Sequence, residues 1–500
     1  MTDTAALTHS LQQVAAELDL TEGFRSRGVI RQVGDGVAWI VGLENVGFEE
    51  LLEFDSGATG LAFDLGPQAT GAILLSGADQ VRSGEGVVGL GRLPSLPVGR
   101  ETLGRIIDPL GNPLDDGPSL EGRERLPLFR PAPEFIDRKG VDQPLQTGVM
   151  VIDAAIPIGR GQRELIIGDR NTGKSAVALD IIANQRPGNV ACVYVSIGQP
   201  MSRVFALQAA LQQVGCLDNT AIVAAEASMP PGLQYLAPYA GASVAESFRE
   251  HGEHALVIYD DLTKHADAYR ELSLLLDRPP GREAFPGDIF YVHAELLERA
   301  AVRRDDRGGG SVTAFPIVET TDSDISGYIP TNLISITDGQ IYLDTARFER
   351  NQRPAVDIGR SVSRIGSAAQ SPAMKAASRN LRILMSRFEA LEALTRVGLD
   401  VDASTQATIN RGRTMRELLK QNRFAGRTVS EQVVLLTAVS EAEMSDGPPS
   451  DIREWRTRIL ETARDELPHL MSELDQGRLP DDWKQDLKNV LGESGRNSTN

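Results

Sequence analysis

Gly168-Asp169-Arg170-Asn171-Thr172-Gly173-Lys174-Ser175 has the spacing G-x-x-x-x-G-K-[ST], and its flanks decide how it is read. The apolar run Leu165-Ile166-Ile167 ahead of it reads as a buried strand, and Ser175-Ala-Val-Ala-Leu-Asp-Ile-Ile behind it reads as a helix. That order is the strand–loop–helix context of a phosphate-binding loop. The glycines let the backbone curl until successive N–H groups face the α/β-phosphates, with the positive end of the helix behind them. In this reading Lys174 reaches the β/γ oxygens and Ser175 holds Mg²⁺, so ATP or ADP with Mg²⁺ is the expected ligand.

Downstream, Val190-Ala-Cys-Val-Tyr-Val-Ser-Ile-Gly reads as a central parallel strand that ends at Gln199. His254-Ala-Leu-Val-Ile-Tyr-Asp260-Asp261 is a second apolar strand ending in acid, placing Asp260 where a carboxylate orients the water shell of Mg²⁺. Strands and helices alternate from Thr147 to about Val362, which argues for a mostly parallel sheet. Arg299 to Gly310, with its Arg and Asp residues and three glycines, reads as a charged loop.

Upstream, between Phe24 and Leu93, short apolar runs are split by glycines. Six strands are expected, at Gly28-Val-Ile, Val37-Ala-Trp-Ile-Val, Leu51-Leu-Glu-Phe, Thr59-Gly-Leu-Ala-Phe, Thr70-Gly-Ala-Ile-Leu-Leu and Gly86-Val-Val-Gly, forming a small antiparallel barrel. Pro94-Ser-Leu-Pro-Val-Gly and Leu126-Pro-Leu-Phe-Arg-Pro-Ala-Pro read as linkers. From about Ala368 apolar residues recur at helical spacing: Leu381, Ile383, Leu384, Phe388, Leu391 and Leu394 in one stripe, Ile409, Met415, Leu418 and Leu419 in another. Helices are expected to continue through Trp455 and Trp483 to a polar tail from Gly492. Residues 1–23 carry Leu7, Leu11, Val14 and Leu18 at the same spacing, as either an amphipathic arm for a partner or a frayed terminal helix.

A chain of 500 residues exceeds one hydrophobic core and suggests about three domains. Its net charge of −18 opposes non-specific attraction to nucleic acid or an anionic bilayer. Cys192 and Cys216 are its two cysteines, too few for a disulfide framework. There is no run of about 18 apolar residues, and the N-terminus lacks a basic segment followed by an apolar one. Membrane contact is therefore expected only through other chains.

Several segments together resemble the α subunit of F-type ATP synthases. They are Pro157-Ile-Gly-Arg-Gly-Gln-Arg-Glu through Ser175, Leu233-Gln-Tyr-Leu-Ala-Pro-Tyr, Ile258-Tyr-Asp-Asp-Leu, Arg278-Pro-Pro-Gly-Arg-Glu-Ala, Tyr328-Ile-Pro-Thr-Asn-Leu-Ile-Ser-Ile-Thr-Asp-Gly-Gln and Ser361-Val-Ser-Arg-Ile-Gly-Ser-Ala-Ala-Gln. The resemblance runs from about Gly28 to about Leu436. It implies a multidomain α/β chain: an arm (1–23), a β-barrel (24–94), a RecA-like P-loop domain (95–369) and a C-terminal α-helical bundle with a polar tail (370–500). It also implies a ring of α and β subunits around a γ shaft, stator subunits, and a peripheral position on the cytoplasmic side of a bacterial inner membrane.

In related catalytic subunits a Glu after the strand following the P-loop polarises the attacking water. Gln199 stands at that place, and a neutral amide cannot accept the proton, so the resemblance implies a site that binds Mg-ATP and keeps it. It further implies that Arg364, in Ser361-Val362-Ser363-Arg364, reaches across a subunit boundary to the γ-phosphate in β, while Arg353-Pro354 and Gln421 lie around the adenine. Asn171, Ser175 and Arg423 depart from the family's usual Gln, Thr and second Gln, and with the divergent ends they suggest a second-copy α subunit whose ring couples to H⁺ or Na⁺. Three rivals stand beside it: a self-sufficient ATPase of the β or secretion type, a ring-shaped RNA translocase, and a structural ring subunit without nucleotide.

Overall fold

The computed structural model describes residues 26–185, 190–396, 402–441 and 451–496. The expected arm at 1–23 lies outside them. The chain divides into two compact units, one holding residues up to Pro94 with 230–232 and 271–279, the other the remainder.

In the first unit all six expected strands form: β1 (Arg27–Gly34), β2 (Val37–Val41), β3 (Leu51–Phe54), β4 (Thr59–Leu65), β5 (Thr70–Ser76) and β6 (Gly86–Gly89). They close as a barrel in the order β1-β2-β5-β4-β3-β6, with β6 returning antiparallel to β1. Inside it Ile30, Ile40, Leu52, Phe54, Leu74 and Val87 pack as a core of their own. Burying side chains of this size contributes about 2 kcal/mol apiece, which is what holds so small a barrel together.

The second unit is built on a ten-stranded sheet. Its main strands are β7 (Ile106–Ile107), β8 (Leu165–Asp169), β9 (Val190–Gln199), β10 (Thr220–Glu226), β11 (His254–Asp260), β12 (Ser311–Thr320), β13 (Gly339–Leu343) and β14 (Val362–Ser363). They lie in the order β14-β13-β8-β12-β11-β9-β10-β7. All neighbours along that order are parallel except β13 and β14. Strands buried on both faces read as continuous apolar runs, which is why β9 and β11 stand out in the sequence.

Both Pro-rich stretches differ from the linker reading. Ser95–Pro97 and Arg125–Pro127 pair with each other in an antiparallel ribbon. Proline is tolerated because a two-stranded ribbon has edges on both sides, where an N–H is not required. The Arg299–Gly310 segment also differs: Arg299 is buried, bonded to Glu246 through Nε at 3.0 Å and Nη2 at 2.8 Å, Val302–Arg303 is a short strand paired with Arg138–Lys139, and only the residues after that strand form the charged loop.

Past the sheet come the helices Pro372–Ser378, Leu381–Arg396, Ala403–Leu418, Val429–Glu441, Ile452–Glu466, Pro468–Asp475 and Trp483–Arg496. Phe388, Met415, Val433, Trp455 and Trp483 of these helices share one apolar cluster with Ile166, Val177, Ile258 and Phe315 of the nucleotide-binding half. Ile383 is an exception to its expected stripe, at 55% exposure. Two residues past Leu381 it is turned about 200° around the helix, and Met385 fills the inward place instead. The final helix runs through Gly492 to Arg496, beyond the point where a tail was expected.

Candidate nucleotide-binding site

Parallel pairing brings the carboxyl ends of four strands to one edge: Asp169 lies level with Thr320, Gly168 with Glu319, and Ser196 with Asp260, while Gln199 ends β9. Ligands of open α/β sheets bind at such an edge. From here β8 turns through residues 170–173 into helix α1 (Lys174–Ala183). Two positions in the turn have positive φ, Asn171 at 63° and Gly173 at 98°. Gly168 is also constrained, since a Cβ there would lie 2.6 Å from the Leu343 carbonyl oxygen. Only glycine keeps the loop this close to β13.

Lys174 is 7% exposed, and its Nζ donates to the carbonyls of Gly168 (2.9 Å) and Asp169 (2.7 Å), with the Glu319 carboxylate 3.9 Å away. Burial lowers its pKa, against the pull of Glu319, Asp261 and Asp260. Ser175 Oγ donates to Asp260 Oδ2 at 2.8 Å, and the Tyr194 hydroxyl donates to the same oxygen. Burial raises the pKa of Asp260 although both hydroxyls favour its ionised form. Asp261 is pushed to about 7, by burial first and by Asp260 second.

A hydroxyl and a carboxylate converging beside a phosphate-binding lysine form the hard-oxygen donor set that suits Mg²⁺ with phosphates, so the residues fit the group. Of the other loop residues, Asp169 turns inward to the chain. It accepts from Thr320 Oγ1 (2.6 Å), from Ser323 N (2.9 Å) and Oγ (2.9 Å), and from Thr345 Oγ1 (2.9 Å). Burial opposes its ionisation, but these bonds outweigh burial and hold its pKa below the usual range. Thr172 Oγ1 donates to the Asp169 carbonyl at 2.8 Å, whereas Arg170 points outward, with Nε 3.7 Å from Glu319.

Glu319 and Tyr194 escape sequence reasoning. Glu319 had a signal, since it ends an apolar strand as Asp260 does. Tyr194 had none, being one aromatic inside a hydrophobic run. Gln199 accepts a hydrogen bond from Arg203 Nη1 at 2.8 Å, which engages the amide oxygen.

Three expected site residues lie together near Gly173. Phe348 comes within 4.0 Å of where a Cβ on Gly173 would lie, and the Arg353 guanidinium stacks 4.7 Å from the Phe348 ring, followed by Pro354. Gln421 N donates to the Arg353 carbonyl at 2.9 Å, tying the two segments together. The Gln421 amide is fully engaged, accepting from Met150 N (2.6 Å) and donating to the carbonyls of Gly148 (2.9 Å) and Ala425 (2.9 Å).

The segment around Arg364 is held by its serines. Ser361 Oγ accepts from Tyr342 N at 2.9 Å and donates to the Asp357 carbonyl at 2.6 Å, while Ser363 Oγ donates to the Pro157 carbonyl at 2.6 Å. Gln162 bridges inward, donating to Ser363 Oγ (3.2 Å) and to the fully buried Glu164 (2.7 Å). Val362 and Arg364 face outward, Arg364 with one bond to the Ile334 carbonyl at 3.3 Å.

Residues 148–363 match the nucleotide-binding domain of the ATP synthase alpha/beta family, and residues 370–494 match the C-terminal domain of ATP synthase alpha/beta chains. The chain is 47% identical over 465 residues to ATP synthase subunit alpha of Aquifex aeolicus, covering 93% of this chain and 92% of that one. It is 48% identical over 456 residues to ATP synthase subunit alpha of Macrococcus caseolyticus, covering 91% of each. It is 50% identical over 464 residues to ATP synthase subunit alpha 1 of Psychromonas ingrahamii, covering 93% of this chain and 88% of that one. With its barrel, P-loop sheet and helical end in the matching order, the chain belongs to the ATP synthase alpha/beta family.

Proposed function

We propose that the chain is the α subunit of a rotary ATP synthase, which makes ATP from ADP and phosphate with a transmembrane ion gradient of H⁺ or Na⁺. It stands in a ring with β around γ, held by stator subunits, peripheral to the cytoplasmic face of a bacterial inner membrane. Among the described residues no helix is long and apolar enough to cross a membrane. In its own site Lys174 and the loop N–H groups bind the phosphates, and Ser175 and Asp260 hold Mg²⁺. When bound, the ion neutralises phosphate charge. Gln199 orients water without accepting its proton, so nucleotide is held and not turned over.

The observation that carries this reading is the pairing of an intact P-loop with Gln199, whose amide oxygen is already taken by Arg203. The second element is Arg364, exposed on a serine-anchored segment. A guanidinium there contributes across a boundary by neutralising the charge of a transferring phosphoryl group. A self-sufficient ATPase is the alternative, and Asp261, the buried carboxylate beside Asp260, would have to supply its general base.

Turnover by the purified chain, and by its complex with β and γ, separates the two readings. We expect the lone chain to bind ATP without turnover. The complex should turn over, and Arg364→Ala should slow it by about 10³-fold or more while leaving ATP binding to the lone chain unchanged. Turnover by the lone chain that is lost in Asp261→Asn would establish the other reading.

A further inference from the structure

A cavity of about 880 Å³ lies among the C-terminal helices, and the chemistry of its wall is unlike the chain's overall balance. Its wall carries Arg353, Lys420, Arg427, Arg453, Arg456 and Arg464 against only Glu417 and Asp451. In a protein of net charge −18 such a wall runs against the overall balance.

Local pairing accounts for some of these charges. Lys420 binds Glu417 at 2.7 Å, and Arg464 binds Glu431. Arg353 stacks on Phe348. Arg427, 8% exposed, closes the end of the helix Ala403–Leu418 by donating to the carbonyls of Leu418 (2.8 Å) and Lys420 (3.3 Å). Its guanidinium makes no hydrogen bond to a carboxylate among the described residues; it meets backbone carbonyls and the Met150 sulfur (2.8 Å), with Glu431 acting on it only as a nearby charge.

The last two arginines are less fully paired. Arg453 and Arg456 stand three residues apart in the first turns of the helix Ile452–Glu466, on one face; Arg453 interacts with the charge of Asp451, and Arg456 makes no ion pair among the described residues. Asp451 also caps the helix, its Oδ1 accepting from Arg453 N (2.8 Å) and Glu454 N (3.1 Å). The cavity thus gathers guanidinium forks, one backbone-facing cation and a helix N-terminus around one space of ligand size.

We infer that this cavity binds a small polyphosphate anion, one with at least two adjacent phosphoryl groups, through Arg427, Arg453 and Arg456, which lie outside the nucleotide site described above, although Arg353 and Gln421 belong to the wall of both. Five of the six cations are arginines, whose planar forks pair bidentately with phosphate oxygens. Of the wall's three side-chain amides, Asn351, Gln421 and Asn422, the Gln421 amide is fully engaged by backbone groups, so the wall offers a base edge less than it offers an anion. Such a ligand offsets the like-charge repulsion between the Ile452–Glu466 helix and the segment that carries Arg427. It therefore tightens the helical domain when bound.

The test is equilibrium dialysis of labelled pyrophosphate against the full-length chain at low ionic strength, counting sites. Wild type should bind two per chain. Lys174→Ala should keep one, the doubly substituted R453Q/R456Q should keep the other, and the combined variant should keep none. R453K/R456K should retain the second site at about tenfold weaker affinity, with melting curves confirming that each variant folds. A single site abolished by Lys174→Ala would overturn the inference, as would a second site unaffected by R453Q/R456Q. Loss of no site in Lys174→Ala, with one lost in R453Q/R456Q, would leave the cavity standing and count against the P-loop reading instead.

Discussion

Asp169 shows how a residue inside a ligand-binding motif can serve the loop's shape. Its carboxylate accepts bonds from Thr320, Ser323 and Thr345, and so ties the start of the P-loop to two neighbouring segments. Charged hydrogen bonds of this kind each contribute about 1.5–3 kcal/mol net. Asp169→Ala should lower unfolding free energy by about 2–4 kcal/mol in a denaturant titration and weaken ATP binding. An unchanged midpoint would reject the bracing role. Asp180 on α1 behaves in the opposite sense. It accepts from Phe424 N at 2.7 Å, and burial raises its pKa to about 6 against the pull of that bond and of Arg423. The unfolded chain ionises this group near pH 4, so its contribution is full below that pH and is lost as pH rises through 6. Asp180→Asn keeps the acceptor for Phe424 and should flatten the loss of melting temperature between pH 4 and 6. The variant should be more stable than wild type at pH 8 and not at pH 4. Of these residue-scale features the sequence discloses the motif letters but not their orientation. Nothing in the string Gly-Asp-Arg-Asn reveals that the aspartate faces the chain and the arginine faces out, because both follow from residues more than a hundred positions away.

At the scale of elements, short apolar runs bounded by glycine are a good guide even where both faces are buried, as in β5 and β8. Each of the six barrel strands and the strand–loop–helix around Lys174 is legible, since apolar runs and glycine punctuation are local properties. The ribbon between Ser95–Pro97 and Arg125–Pro127 is not, because strand pairing across an intervening segment leaves no local trace and proline argues against it. The stripe through Ile383 failed for a narrower reason: Met385 competes for the inward position and wins by angle. Gly412 marks a case where packing overrides propensity. Glycine weakens a helix interior by about 1 kcal/mol relative to alanine, yet it sits in the Ala403–Leu418 helix where a Cβ would lie 2.2 Å from the Phe388 ring. Gly412→Ala should therefore destabilise, by about 1–3 kcal/mol through overpacking, despite its better helix propensity. A gain in stability would show that the Leu381–Arg396 helix yields easily to that contact.

For the whole molecule the dominant quantity is charge. A net −18 spread over the chain repels itself, so melting temperature should rise as salt goes from 50 to 500 mM. The same charge predicts no retention of polypyrimidine RNA at 50 mM salt, and binding there would revive the translocase reading. The resemblance that reached from Gly28 to Leu436 was the strongest thing in the sequence, and the matched domains at 148–363 and 370–494 agree with it. What composition concealed was the basic cavity, because six cations gathered from four separate segments vanish in an acidic total. The barrel has a consequence of a different kind. Each of its six strands is paired on both sides, so among the described residues the barrel offers no free row of backbone N–H and C=O groups. A chain proposed to stand in a ring beside others built alike meets its neighbours at very high local concentration, the condition under which open strands recruit one another into fibres. Closure removes the template for that misassembly, and leaves side-chain chemistry alone to decide which collar meets which.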